Sequence, residues 1–538
     1  MIYACGECAP QALYWSIMEK KLTIYYTSDV HGYLYPTDYV EAGEKNLGLM
    51  RMLPAFVRDG NTLIIDGGDS LQGSPMTNYF YRLTPEERRG ILTDTRFGTH
   101  PIAAVMNLAG YRYVTLGNHD FNHGVDALMD YLTALDAECL CCNIRDRAGK
   151  LPLKPWAIHT LENGLRVGIV GACTDFVRRW EDPDTVKELI IEEPVEACRR
   201  ALDEIRGKCD LTLLVYHGGF ECDLTDGHSL TESRENQACR ICREMDYDIV
   251  LTGHQHFSVP LVKFAGSFVC QPAYRGIDFC RLEALKTDSG LTVRGENPGA
   301  DLPASAEAME LLRPLETATQ RWLDTPVGHL DGELAVGSHI EMGLYGSDLA
   351  NFINTVLLEL TGAQVSATAL ANEAKGLPRD ITIRNVVAAY IYANTSVVLD
   401  MSVSDLRRYM ERSAEYFDPQ DDGSVTVSES FLLPKVQHFN YDFFAGAEYE
   451  IDLSKPPKHR ITSLRMNGRE LREDEHVTVC INSYRHNGTG GYDMLPGQPV
   501  VKEVLVDIAD AIIDYIIRHP DITVDRRKWY RVTGIKKA

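Results

Sequence analysis

Five short apolar runs in this 538-residue chain each end in a polar cluster able to hold a metal ion. Residues 22–27 run into Asp29-Val30-His31, 63–66 into Gly68-Asp69, and 113–116 into Gly117-Asn118-His119-Asp120. Residues 211–216 run into His217-Gly218-Gly219, and 248–252 into Gly253-His254-Gln255-His256. Runs rich in Val, Ile, Leu and Thr predict strands that stop where the apolar pattern stops. Laid side by side, such strands bring their polar ends to one edge of a sheet. Asp, Asn and His then supply hard and borderline ligands together, the mixture that suits Zn, Mn or Fe.

A chain of this length exceeds a single core, so two domains are expected. Residues 1–20 read as an N-terminal extension with a short helix. From 21 to about 295, strands alternate with helices at 101–109, 125–135, 194–205 and 232–245, the pattern of an α/β layered domain. The stretch 288–303, rich in Gly, Pro, Asp and Asn, reads as a boundary, and 305–323 as a linker helix. The divisions expected are a first domain at 21–300, a linker at 301–324 and a second domain at 325–538. In the second, Ser347 is the expected N-cap of a helix over 347–361. Ser402 and Asp405 resemble a capping box ahead of a helix over 406–416. Residues 449–453 and 477–481 read as strands. Val504, Leu505, Ile508, Ile512 and Ile516 recur at helical spacing within 501–518.

The formal net charge of −23 argues against a general binder of nucleic acid or anionic membrane. Polymeric nucleic acid and membranes are therefore not expected partners. A small anionic substrate is compatible, because a bound metal can dominate the field in a pocket. No apolar run approaches the ~18 residues of a membrane span, and residues 1–20 do not read as a signal peptide. Many of the fourteen cysteines sit in apolar runs, among them Cys173, Cys270, Cys280 and Cys480, and read as reduced core residues. The pairs Cys5/Cys8 and Cys239/Cys242 read as plain thiols rather than a shared zinc site. These readings together make a cytoplasmic location the expectation.

The clusters divide the chemistry among themselves. An Asp-x-His spacing lets two side chains of one loop point the same way, so Asp29 and His31 can share a metal. Asp69, after two glycines, can bridge two ions with two oxygens. Asn118 offers a neutral oxygen, and His217, His254 and His256 offer ring nitrogens. That set suffices for two divalent ions about 3.5–4 Å apart, which lower the pKa of a shared water toward ~7 for in-line attack on phosphorus. His119 is left over beside a ligand. Facing the substrate, it can stabilise charge on phosphoryl oxygens or protonate the leaving group.

Together, Asp29-x-His31, Gly68-Asp69, Gly117-Asn118-His119-Asp120, His217 and Gly253-His254-x-His256 resemble the full signature of the calcineurin-like metallophosphoesterases. The resemblance implies a four-layered αββα sandwich, with one ion on Asp29, His31, Asp69 and His256. A second would sit on Asp69, Asn118, His217 and His254, with His119 as the catalytic histidine. Residues 21–538 are similar to the 5′-nucleotidase family, which adds a linker helix and an α+β domain that selects a small-molecule nucleotide. Ile383-Arg384-Asn385, Tyr392-Ala393-Asn394-Thr395, 442–452 and Asn482-Ser483-Tyr484-Arg485 carry a likeness to one branch, the 2′,3′-cyclic-nucleotide 2′-phosphodiesterase/3′-nucleotidases. The expected activity is therefore opening of 2′,3′-cyclic nucleotides and removal of the 3′-phosphate. The alternatives are a 5′-nucleotidase, a UDP-sugar pyrophosphohydrolase and, from another class, a nucleotide-binding sensor with an inert metal site.

Residues 482–495 form a Gly-rich loop ending in an aromatic. Glycine lets a backbone come close to a flat ligand. Tyr492 there can stack on a base, worth ~1–3 kcal/mol; a hairpin turn with half-buried tyrosines is the other reading of these residues. The resemblance implies a clamp of Tyr441 and Tyr492, with Phe439 the substitute for Tyr441, and Asn482, Gly490 and Gly491 complete the expected substrate-binding set. Two departures from typical 5′-nucleotidases stand out. The aspartate three residues after their catalytic histidine is Asn122 here, which supplies no anion to raise the proton affinity of His119. Their arginine run before the second-domain helix is absent from 365–375, which favours the cyclic-phosphodiesterase branch.

Overall fold

The structure, a computed structural model, describes residues 19–535 except 42, 182, 231–233, 393, 433–435, 487 and 505. The expected helix before residue 19 and the Cys5/Cys8 pair lie outside the described residues.

Two sheets form the centre of the first half. Lys20–Thr27, Thr62–Asp66, Tyr113–Val114 and Glu138–Leu140 are parallel neighbours in a seven-stranded sheet. In a six-stranded sheet the parallel neighbours are Arg166–Cys173, Leu211–His217, Ile249–Thr252 and Ser267–Gln271. Alternation along each strand decides what lies on either face. Ile24, Tyr26, Leu63 and Ile65 point inward and pack with Val167, Ile169, Leu213 and Val215 of the opposing sheet. Tyr25 and Ile64 point outward, into the cluster that holds Ile102, Val105 and Leu128 from the helices Pro101–Ala109 and Val125–Ala134. On the far side, Val170, Leu214 and Val250 pack on Val195, Leu202 and Ile205 of the helix Pro194–Ile205. The layers are therefore helix, sheet, sheet, helix, the αββα sandwich expected. All five polar clusters follow parallel strands at their carboxyl ends, the edge where open α/β sheets bind ligands.

The helix Ala306–Leu323 leads out of the sandwich, N-capped by Ser305, whose side chain accepts from the Ala308 amide. Trp322 at its end lies against Tyr79, and the Arg82 guanidinium lies over the same ring. Beyond it, Asp442–Ala445, Val365–Ala369, His476–Asn482, Ser396–Ser402 and Val500–Val504 build a five-stranded mixed sheet. The helix Asp348–Thr361 packs on it, capped by Ser347 as its sequence implies. Ser402 caps a helix that begins earlier than expected, Val403–Ala414. No helix among the described residues is long and apolar enough to cross a membrane.

Three expectations are corrected. Residues 501–518 are not one helix: Val500–Val504 is an edge strand on Ser396–Ser402, as its β-branched run favours. The helix starts only at Ile508, where Asp507 caps the Ala509 amide at 2.8 Å; Leu505 lies outside the described residues. The helix expected over 232–245 shrinks to Ala238–Glu244. Cys239 is not a plain thiol but is disulfide-bonded to Cys222, while Cys242 is a buried free cysteine. Cys173, Cys270, Cys280 and Cys480 are buried free cysteines, as their apolar runs imply.

Candidate metal centre

The edge of the sandwich gathers one atom from each of Asp29, His31, Asp69 and His256 within 4.8 Å of one another, and likewise from Asp69, His217 and His254. Asp69 belongs to both groups. Its Oδ1 accepts the His119 amide at 2.7 Å, and its Oδ2 lies 3.1 Å from His217 Nε2 and 3.8 Å from His31 Nε2. Asp29 lies 3.4 Å from His256 Nε2 and accepts the His254 amide at 3.0 Å.

The backbone is unusual at these positions. Asp29, His31, Asp69, His254 and His256 all have positive φ, between 51° and 72°, and make up half of the ten non-glycine residues with that conformation among those described. A left-handed backbone costs an L-residue of order 1 kcal/mol or more and concentrates where function requires it. Close approach adds a second constraint: a Cβ on Gly253 would meet Asp29 Oδ2 at 2.6 Å, and one on Gly117 would collide with the Asp69 carboxyl.

The donor atoms suit cations. Asp69 Oδ2, Asn118 Oδ1 and His217 Nε2 are buried without a hydrogen-bond partner, a cost that native interiors normally avoid. His31 and His217 hydrogen-bond through Nδ1 to the carbonyls of Gln72 and Gly67, at 2.9 and 2.7 Å. A carbonyl only accepts, so each Nδ1 carries the proton and each Nε2 faces the centre, as metal-ligating histidines do. His31 Nε2 and His256 Nε2 stand 3.0 Å apart. The electrostatics follow from crowding. Burial would raise the Asp69 carboxyl, but the charges of His217, His119 and His31 outweigh it and hold it low. Burial would lower His217, yet Asp69 and Asp29 push it up to about 10. His31, where burial and the neighbouring His256 act together, falls to about 3.

His119 sits half-buried beside the centre, its ring 5.3 Å from that of His31. Its Nδ1 hydrogen-bonds to Asn122 Oδ1 at 2.7 Å, and Asn122 Nδ2 donates to Glu181 Oε1. Asp120 turns the other way and accepts the amides of Asp69, Ser70, Leu71 and Gly117, pinning two ligand loops together.

The calcineurin-like phosphoesterase model matches residues 22–258, and the model of the 5′-nucleotidase C-terminal domain matches 326–497. A solved putative 5′-nucleotidase from Staphylococcus aureus superposes with a TM-score of 0.81 at 31% identity, over 95% of this chain and 100% of that one. The chain belongs to the 5′-nucleotidase family of metallophosphoesterases. It is similar to the 2′,3′-cyclic-nucleotide 2′-phosphodiesterase/3′-nucleotidase of Yersinia enterocolitica, at 22% identity over 86% of this chain and 80% of the relative. The trifunctional nucleotide phosphoesterase YfkN of Bacillus subtilis is 24% identical over 97% of this chain, which spans 39% of that relative's length.

This 5′-nucleotidase-family enzyme departs from the expected base clamp. Tyr492 is 0% exposed, its hydroxyl 2.6 Å from the Asn440 carbonyl and 2.8 Å from the Ser413 hydroxyl. Arg485 covers one face of that ring at 4.2 Å, and Tyr409 meets it edge-on. Tyr441 is buried among Tyr416, Phe417 and Phe443. Neither ring has a face open to a nucleobase. Asn482 caps the turn Ser483–His486 by accepting the Arg485 amide, and a Cβ on Gly490 or Gly491 would crowd Asn440 or Arg412. The Gly-rich loop is thus wrapped around a buried ion pair, Arg485 with Asp442 at 2.7 Å.

The rings that remain accessible are others. Tyr484, one residue before that arginine, is 40% exposed; Phe439 and Tyr392 are half-buried, their centroids 6.2 Å apart. Burial raises the hydroxyls of Tyr484 and Tyr392, and the charges of Glu235 and Tyr274 in the first domain raise them further. Glu235 hydrogen-bonds His254 Nε2 at 2.8 Å, and Tyr274 stacks on His256 at 4.9 Å with an interplanar angle of 3°. The Arg275 guanidinium lies over the rings of Tyr33 and Tyr274 with no carboxylate partner among the described residues. Sequence reading does not reach Glu181, Glu235, Tyr274 or Arg275, none of which lies in a ligand cluster. Tyr484 falls within the Asn482–Arg485 motif, where spacing assigns it no role.

Proposed function

We propose that this enzyme opens 2′,3′-cyclic nucleotides and removes the resulting 3′-phosphate. The observation that carries the reading is the metal centre with His119 beside it; Glu235 and Tyr274 stand on its ligands His254 and His256, and Tyr484 and Tyr392 are accessible rings of the second domain. A base on these rings leaves its ribose phosphate beside the centre, with Arg275 as a cation for the phosphate oxygens. Relatives from three bacteria bear the name of this activity, and the arginine-free stretch 365–375 agrees with that branch.

Asp29, His31, Asp69 and His256 would hold one divalent ion, and Asp69, Asn118, His217 and His254 a second, with Zn, Mn and Fe suited to this set. Bound there, such ions supply Lewis acidity toward a phosphoryl group and lower the pKa of water. His119, with Nδ1 tied back to Asn122, keeps Nε2 as the nitrogen that can give a proton to the leaving ribose oxygen. Tyr484 and Tyr392 hold the base, and Arg275 orients the phosphate.

A second reading, 5′-nucleotidase activity, is favoured by the likeness to the Staphylococcus aureus putative 5′-nucleotidase, which extends over both domains. One panel separates them: 2′,3′-cyclic AMP, 3′-AMP, 5′-AMP and UDP-glucose, each with Mn or Zn and with chelator. Cleavage of the first two is expected. Turnover confined to 5′-AMP or UDP-glucose would sink the branch assignment, and turnover surviving complete metal removal would sink the metal reading.

A further inference from the structure

We propose that Glu181 is the positioning residue of His119 and acts through Asn122; the inference rests on the reading that places His119 at the reacting phosphate. An ionised carboxylate only accepts, so Glu181 draws the NH2 end of the Asn122 amide toward itself. That turns Oδ1 to the histidine, 2.7 Å from Nδ1. An amide oxygen also only accepts, so Nδ1 must carry a proton whether the ring is neutral or charged. Nε2 is then always the nitrogen left for the substrate.

Asn122 cannot do this alone. It is exposed, and an exposed amide can turn over and offer its NH2 to Nδ1, which selects the opposite tautomer. Glu181 removes that freedom. It is 9% exposed, and its backbone amide is fixed to the Val177 carbonyl at 3.0 Å. The anion that an aspartate would place directly on the ring is here moved one residue outward and reaches the ring through an amide. The carboxylate that does so is 59 residues from Asn122 in the chain.

The test is an exchange of charge between the two positions, in holoenzyme checked for metal content and melting temperature. Glu181→Gln should lower kcat about 10- to 100-fold, the range for loss of an outer hydrogen-bond partner, with KM unchanged. Asn122→Asp should also be slow, because two carboxylates then face each other. The double variant Asn122→Asp/Glu181→Gln should exceed both singles, since the glutamine amide can donate to the new aspartate. Wild-type kcat in Glu181→Gln, a double variant no faster than the better single, or a loss of kcat matched by loss of metal or fold would overturn the proposal. His119→Gln, run alongside, separates the two levels. Full rate there removes the role of His119 and the relay with it, whereas a lost rate there with wild-type kcat in Glu181→Gln removes the relay alone.

Discussion

Asp69 and His217 meet as an ion pair through a single oxygen and a single nitrogen, Oδ2 and Nε2, 3.1 Å apart, and neither atom has a hydrogen-bond partner. In the metal-free protein the proton on His217, whose pKa is pushed up to about 10, holds the pair together. A metal ion must displace that proton. At pH 7 metal uptake should therefore release protons, visible as a dependence of the calorimetric heat on buffer ionisation enthalpy. Apparent affinity should rise with pH, by about tenfold per unit where one proton is displaced. Uptake with no proton release between pH 7 and 9 would refute this account of the pair.

Asp66 lies under the same edge and accepts from Thr27 Oγ1, Ser70 Oγ and the Gly68 amide. Burial raises its carboxyl to about 7 despite those bonds. Between roughly pH 4 and 7 the folded chain keeps a proton that the unfolded chain has lost, so this group's contribution is full below pH 4 and fades as pH rises through 7. Asp66→Asn, which can keep the same partners, should flatten that slope in the metal-free protein and raise its melting temperature at pH 7. The gain is of the order of a few kcal/mol. Parallel pH–stability curves for the two proteins would count against it.

Tyr484 and Tyr492 should separate binding from stability. Tyr484→Ala should raise KM for nucleotides by about 5- to 100-fold, the loss of one stacked base, and leave melting unchanged. Tyr492→Phe leaves the Asn440 carbonyl and the Ser413 hydroxyl short of a buried partner, so it should lower stability by about 1–3 kcal/mol with KM little altered. The reverse pattern would restore Tyr492 to the binding site.

The Cys222–Cys239 disulfide ties the segment after His217 to the helix Ala238–Glu244. A digest of unreduced protein should yield a linked Cys222–Cys239 peptide, and reduction should lower stability by ~3 kcal/mol for a loop of this size. Alkylation of both cysteines without prior reduction would show them to be thiols.

What could be read from the sequence was local. Each polar cluster directly follows the apolar run that positions it, so the residues around Asp29, Asp69, His119, His217 and His254 were visible as short words, and so were the layers those runs build. Partners brought in from a distance were not. Glu181 reaches Asn122, Glu235 reaches His254, and Cys222 reaches Cys239 only after the chain has folded, and no spacing announces them. The aromatic clamp failed for a different reason. In a loop of mixed tyrosines, composition does not say which ring faces inward; the pairing of Arg485 with Asp442 decides it, drawing Tyr492 into the core and leaving Tyr484 outside. The 500–504 run likewise fits either period, and the free edge of the Ser396–Ser402 strand resolved it.

The five left-handed backbones at Asp29, His31, Asp69, His254 and His256 set two kinds of selection against each other. Variants chosen only for resistance to heat should drift toward glycine or asparagine there, which tolerate that geometry at less cost. Variants chosen for turnover should retain carboxylate and imidazole. Durability and chemistry pull in opposite directions at these five places, so stabilising substitutions are better sought elsewhere in the chain.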